Sequence, residues 1–171
     1  MNDLDLAPRA PQVIDTLSLD EAIRLIWLEA DLLDNHDYKP WLALWSDAGR
    51  YIIPIERNIA DYAAHLNVAY DDGEMRQARV KRLVSGFAMS SAPAARTVRT
   101  VSRFRMLETG AGSIVVRAAQ HIVEYKYERT RVLAADVTYK FVRAGEDLKL
   151  EQKVVQLINS DDALFSLGYL P

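Results

Sequence analysis

The sequence predicts an α+β fold, a strongly bent antiparallel sheet with N-terminal helices closing its hollow face. Three observations carry this. Apolar residues recur at helical spacing between Leu19 and Leu33. Beyond residue 98 the pattern changes to long stretches of strict alternation. Those stretches are joined by short Gly-containing turns, too short for the crossover that parallel strands require.

The elements follow in order. Ser18 and Glu21 have capping-box spacing, with Leu17 at the staple position, so a helix starts at Leu19. Leu19, Ala22, Ile23, Ile26, Ala30 and Leu33 form its apolar stripe, and Trp27 lies beside it. Asn35-His36-Asp37 breaks the helix. Asp34 there is expected to be solvated and Asp37 to cap a second, shorter helix. Pro40 fits the first turn of that helix, and Trp41, Leu44 and Trp45 give it an apolar side. Tyr51 to Ile53 reads as a short strand ended by Pro54, and residues 55–72 read as loop. Asp72 is placed to cap a third helix ending near Gly86. Ser90 to Ala95 is a connection rich in small residues.

The remainder reads as strand. Val98, Thr100, Ser102, Phe104 and Met106 alternate with Arg99, Val101, Arg103 and Arg105. Gly110-Ala111-Gly112 turns the chain into a β-rich run from Ile114 to Tyr127. Leu133 to Phe141 alternates again, and Ala144-Gly145-Glu146-Asp147 leads into a last strand from Leu148 to Ile158. Residues 98–158 should therefore form one curved antiparallel sheet around the first helix.

With 171 residues the chain fits one domain with a sizeable core. Residues 1–17, acidic and prolyl, read as a flexible N-terminal arm, and 18–171 as a single domain. The arm lacks the basic start and apolar stretch of a secretory signal, so a cytoplasmic location is expected. A net charge of −3 gives no electrostatic reason to expect nucleic acid. No apolar run approaches the ~20 residues of a membrane span. The chain has no cysteine. It therefore holds no disulfide, no catalytic thiol and no cysteine-ligated iron–sulfur cluster, and a Rieske centre would still need two Cys beside two His.

Little else points to chemistry. His36, His65 and His121 have no helical metal-site spacing, and a two-His-one-carboxylate set such as His36, His121 and Asp34 would have to assemble from distant segments. A carboxylate base with tyrosine donors in a greasy cavity would need Tyr51, Tyr125, Tyr139, Asp34, Asp136 or Glu124. Asp136 and Glu124 lie on strand faces opposite Tyr139 and Tyr125, so neither strand supplies both partners to one cavity. The plainer reading packs the tyrosines into the sheet. Trp41, Tyr51 and Tyr125 are the candidate lining of the hollow. Arg96, Arg99, Arg103 and Arg105 crowd one strand shortly after Arg79, Lys81 and Arg82, and must repel one another unless acids face them. Glu124, Glu128 and Glu151 could do so within the chain. Acids of another subunit could do so instead, which makes Arg99, Arg103 and Arg105 candidate interface residues.

Several landmarks recur together in one known family. They are Asp37-Tyr38-x-x-Trp41-Leu42, Arg50-Tyr51-x-x-Pro54, Arg79-Val80 with Leu83, Arg96-Thr97, Val101-Ser102, and Lys153-Val154 before Leu157-Ile158. The chain resembles the small (beta) subunit of aromatic-ring-hydroxylating dioxygenases from about Leu19 to Asp162. It departs from many relatives at Arg103 (commonly Asn), near Ala135 (commonly Gly) and at Leu148 (commonly Trp). The resemblance implies a cone-shaped fold like that of nuclear transport factor two. It also implies a mainly structural role, with no catalytic, cofactor-binding or metal-binding residue in this chain. The Rieske [2Fe-2S] cluster and mononuclear Fe(II) would reside in a partner alpha subunit. Assembly would be as a homotrimer within three alpha and three beta subunits, in a cytoplasmic, NAD(P)H- and O2-dependent oxygenase of aromatic catabolism. The alternatives are a stand-alone cone-fold dehydratase or isomerase, and a small-molecule-binding protein without chemistry.

Overall fold

Six strands form one sheet in the order β2-β1-β6-β5-β4-β3. They are β1 (Trp45–Pro54), β2 (Asn67–Asp71), β3 (Arg96–Gly110), β4 (Ser113–Lys126), β5 (Arg129–Ala144) and β6 (Asp147–Leu157). The helices are α1 (Leu19–Asp34), α2 (Tyr38–Ala43) and α3 (Gly73–Val84). The structure, a computed structural model, describes residues 16–85, 94–160 and 168–171. The expected arm therefore lies outside the described residues except for Thr16 and Leu17. Thr16 bridges to Ala111, and Leu17 is buried. Gly86 and most of the connection at 90–95 also lie outside.

Strands β3 to β6 pair antiparallel in sequence order, as the alternation requires. Even-numbered residues of β4 and odd-numbered residues of β5 face the hollow, among them Ile114, Val116, Ala118, Val137, Tyr139 and Phe141. Helix α1 fills that hollow with Ala22, Ile26, Ala30 and Leu33. Its capping box forms as expected: Ser18 Oγ accepts from Glu21 N at 3.2 Å, and Ser18 N donates to Glu21 Oε2 at 2.9 Å. Burying this apolar stripe, not helix propensity, is what fixes the helix in place.

The structure corrects several expectations. The sheet is not wholly antiparallel, because β1 runs parallel to β6. Residues 55–72 are not all loop: Asn67 to Asp71 add an outer strand beside β1. Trp45 belongs to β1 rather than to the second helix, and β1 is twice jogged, once between Trp45 and Arg50. Gly49 sits in that jog. A Cβ there would meet the Trp45 ring at 2.9 Å and the Leu150 carbonyl at 3.1 Å, so only glycine allows the approach. Asp37 stands at the start of α2 but makes no side-chain cap. Asp72 does cap α3, accepting from Met75 N at 2.9 Å.

Candidate functional site

Charged side chains buried inside the cone are its most distinctive chemistry. Glu29 on α1 faces inward among apolar neighbours, and Lys153 on β6 meets it from the opposite wall. Lys153 Nζ donates to both Glu29 oxygens, at 2.8 and 3.1 Å. Trp41 Nε1 donates to the same carboxylate at 3.1 Å. Neither charge reaches solvent: Lys153 is 0% and Glu29 2% exposed. Burial pushes the Lys153 ammonium below its ordinary range, and the adjacent Glu29 carboxylate opposes that shift.

The remaining donors close on the end of the described chain. Tyr51 Oη donates to the Pro171 carbonyl oxygen at 2.7 Å, and Lys153 Nζ reaches the same oxygen at 3.3 Å. Arg99 donates to the Leu170 carbonyl. Leu170 and Pro171 thus pack into the hollow and supply acceptors there. Trp41, Trp45 and Tyr51 stack edge to face, with ring centroids 5.5–6.2 Å apart. Burial holds the Tyr51 and Tyr139 phenols well above the ordinary tyrosine range. Both therefore remain neutral.

A second buried pair lies at the end of α1. Asp34 sits where the helix dipole disfavours a negative charge. It is compensated by Arg99, by Thr97 Oγ1 at 2.7 Å and by the Arg99 backbone N–H at 2.7 Å. A third lies at the β2–α3 junction. Arg79 grips Asp71 through Nε and Nη2, at 2.5 and 2.9 Å. Arg76 donates to the Gly49 carbonyl at 2.5 Å and lies 4.1 Å over the Trp45 ring. Burial lowers the Arg76 guanidinium to about 10.

These contacts relocate several expected residues. Trp41 and Tyr51 do line the interior, both fully buried. Tyr125 does not. As an odd-numbered residue of β4 it points outward, is 40% exposed, and lies under Arg96. Arg99 is no surface contact for another subunit, because its side chain is 1% exposed and spent on Asp34 and Leu170. Arg103 and Arg105 are exposed on the outer side. A bulge explains the split. Arg103 adopts φ +55°, the register slips between Ser102 and Arg105, and Phe104 takes the inward direction.

Some of the strand's charges find acids within the chain, though not always those expected. Arg103 pairs with Asp136. Glu124 takes Arg131 at 2.6 Å, and Glu151 takes Lys140 at 2.6 Å. Asp34 is not merely solvated, and it is committed to Arg99 rather than to a metal. Among the described residues no three His, Cys, Asp or Glu side chains come together at metal-ligand spacing. Lys153 and Arg79 figure in the sequence reading but neither Glu29 nor Asp71 does, and neither the Glu29–Lys153 nor the Asp71–Arg79 pair emerges from it. Their one signal was an isolated charge within an apolar stripe.

The family model described as "Ring hydroxylating beta subunit" matches residues 28–161. The chain belongs to the ring-hydroxylating beta subunit family. The small oxygenase component of the p-cumate 2,3-dioxygenase system of Pseudomonas putida is 28% identical over 131 residues, covering 75% of this chain and 73% of that protein. The beta subunit of benzoate 1,2-dioxygenase from Burkholderia mallei superposes with a TM-score of 0.75 at 19% identity, covering 90% and 98% of the two chains. A nuclear-transport-factor-two-like protein with a cystatin-like fold, from Novosphingobium aromaticivorans, gives 0.59 at 12% identity, covering 82% and 81%. The fold of this ring-hydroxylating beta subunit is thus the cone shared with those proteins.

Proposed function

We propose that this beta subunit is a non-catalytic, load-carrying part of an NAD(P)H- and O2-dependent aromatic-ring dioxygenase. Its partner is an alpha subunit that carries the Rieske cluster, the mononuclear iron and the aromatic substrate. Three copies of each chain assemble in the cytoplasm, and Arg103 and Arg105 lie near subunit contacts. The observation that carries the non-catalytic reading is the closure of the interior. The Glu29 carboxylate, which a cone-fold acid–base enzyme would need free, is bound by Lys153 and Trp41 beneath Leu170 and Pro171. A base so neutralised and so covered has no route to a substrate proton. The family membership and the absence of cysteine support the same division of labour.

The test is co-expression with a Rieske-bearing alpha subunit. A complex of equal stoichiometry should form, with its iron retained by the alpha chain after separation. Ring hydroxylation should require alpha subunit, reductase, NAD(P)H and oxygen together. Stoichiometric iron in the isolated beta chain, or dehydratase or isomerase activity in it, would defeat the reading.

A further inference from the structure

The convex face of the sheet carries a cleft of about 200 Å³. Its floor is in-register strand. Arg117, Thr138 and Val154 lie side by side across β4, β5 and β6, and Asp136 sits beside Gln156 one step along. Its roof is the loop bearing Arg57, Asn58, Ile59 and Tyr62.

That roof is tied down. Arg57 Nη1 donates to the Ile158 carbonyl at 3.2 Å, and Ser160 Oγ donates to the Ile55 carbonyl at 2.7 Å. Asn67 Nδ2 holds the Tyr62 carbonyl at 2.7 Å. Asn58 adopts φ +59°, which bends the loop over the floor.

The charges do not cancel. Asp136 is already compensated by Arg103, outside the cleft lining. Among the described residues Arg117 has no carboxylate partner, and Arg57 donates to a carbonyl and to no carboxylate. Two arginines and Thr138 therefore line one small cleft. Ile59, Val154 and the Tyr62 ring supply an apolar wall. Guanidinium groups recognise planar carboxylates through paired donors, and an apolar wall favours a non-polar body on the ligand.

We propose that this cleft binds a small monoanionic carboxylate with an apolar body, the carboxylate held by Arg117 and Arg57. The site uses none of the buried ion pairs.

The full chain titrated with benzoate, by calorimetry and by amide shift mapping, tests it. Benzoate should bind saturably at one site and shift the amides of Asp136, Thr138 and Gln156. Neutral benzamide and the smaller acetate should each bind at least about tenfold more weakly, having lost respectively the charge-assisted bonds and the apolar contact. Arg117→Met should weaken benzoate by a similar factor without changing the melting temperature. Arg57→Ala, in the exposed loop, does the same work should Arg117→Met fold poorly. Lys39→Ala, an exposed lysine away from the cleft, should leave binding unchanged. Absence of saturable benzoate binding would overturn the proposal. So would equal binding of benzamide, shifts mapping elsewhere, or full affinity retained in both arginine variants.

Discussion

Lys153 on β6 and Glu29 on α1 form an ion pair 2.8 Å long, spanning 124 residues of sequence, with neither side chain in contact with solvent. Lys153→Met should destabilise the fold by about 3–5 kcal/mol, because Glu29 would be left as an uncompensated buried charge. Adding Glu29→Leu should recover most of that loss, since an apolar pair needs no compensation. Urea denaturation of the wild type, both single variants and the double variant measures this. Additive losses would show that the two groups do not act as a pair.

Asp34→Ala should also cost about 3–5 kcal/mol, because it strands the buried Arg99 guanidinium and frees Thr97. Its effect belongs to stability alone. Turnover per assembled oxygenase should stay near the wild-type value, and a large loss of turnover at full assembly would assign Asp34 a direct role.

The two buried tyrosines should behave differently. Tyr51→Phe removes the donor to Pro171 and should cost about 1–2 kcal/mol. Among the described residues the buried Tyr139 hydroxyl has no hydrogen-bond partner, so Tyr139→Phe should be neutral or slightly stabilising. Thermal denaturation of the two variants ranks them, and the reverse order would contradict the geometry.

Alkaline pH should unfold the protein for a definite reason. Burial raises both Tyr51 and Tyr139 above the unfolded value of 10.0. Above that pH the unfolded chain gives up phenolic protons that the folded chain keeps. This contribution to stability is thus fully present below pH 10 and is lost as pH rises beyond it. The slope of stability against pH above 10 should be shallower in Tyr139→Phe. An unchanged slope would mean that Tyr139 ionises in the folded state.

Much of the frame is visible in the sequence because it rests on local spacing. The capping box at Ser18 and Glu21 needs only three residues to declare itself, and the alternation of β5 places Tyr139 inside and Asp136 outside. The interior chemistry rests on tertiary pairing. Glu29 and Lys153 are single charges on separate apolar faces, and nothing local says that they meet. Arg99 and Arg103 share one parity in sequence, yet the bulge at Arg103 sends one inward and the other outward. The strand Asn67–Asp71 has too few alternating residues to stand out and forms because β1 offers it an edge.

Trp41 joins the aromatic cluster to the buried carboxylate. Trp41→Ala should cost about 3–5 kcal/mol through the cavity left by a fully buried ring, with the Glu29 hydrogen bond lost besides. Calorimetric unfolding would register this as a fall in melting temperature. A loss under about 1 kcal/mol would mean that the hollow collapses around the gap.

The most direct test of a non-catalytic role is steady-state hydroxylation by oxygenase reconstituted with the Glu29→Leu/Lys153→Met double variant of this chain. Rates should be normalised to the amount of assembled complex. The variant removes the interior carboxylate that acid–base chemistry in the cone would require while keeping the fold. Turnover within about twofold of wild type is the expected result. A loss of about a hundredfold or more, with assembly and the iron content of the alpha subunit intact, would place the reaction's proton chemistry in this chain and contradict the account.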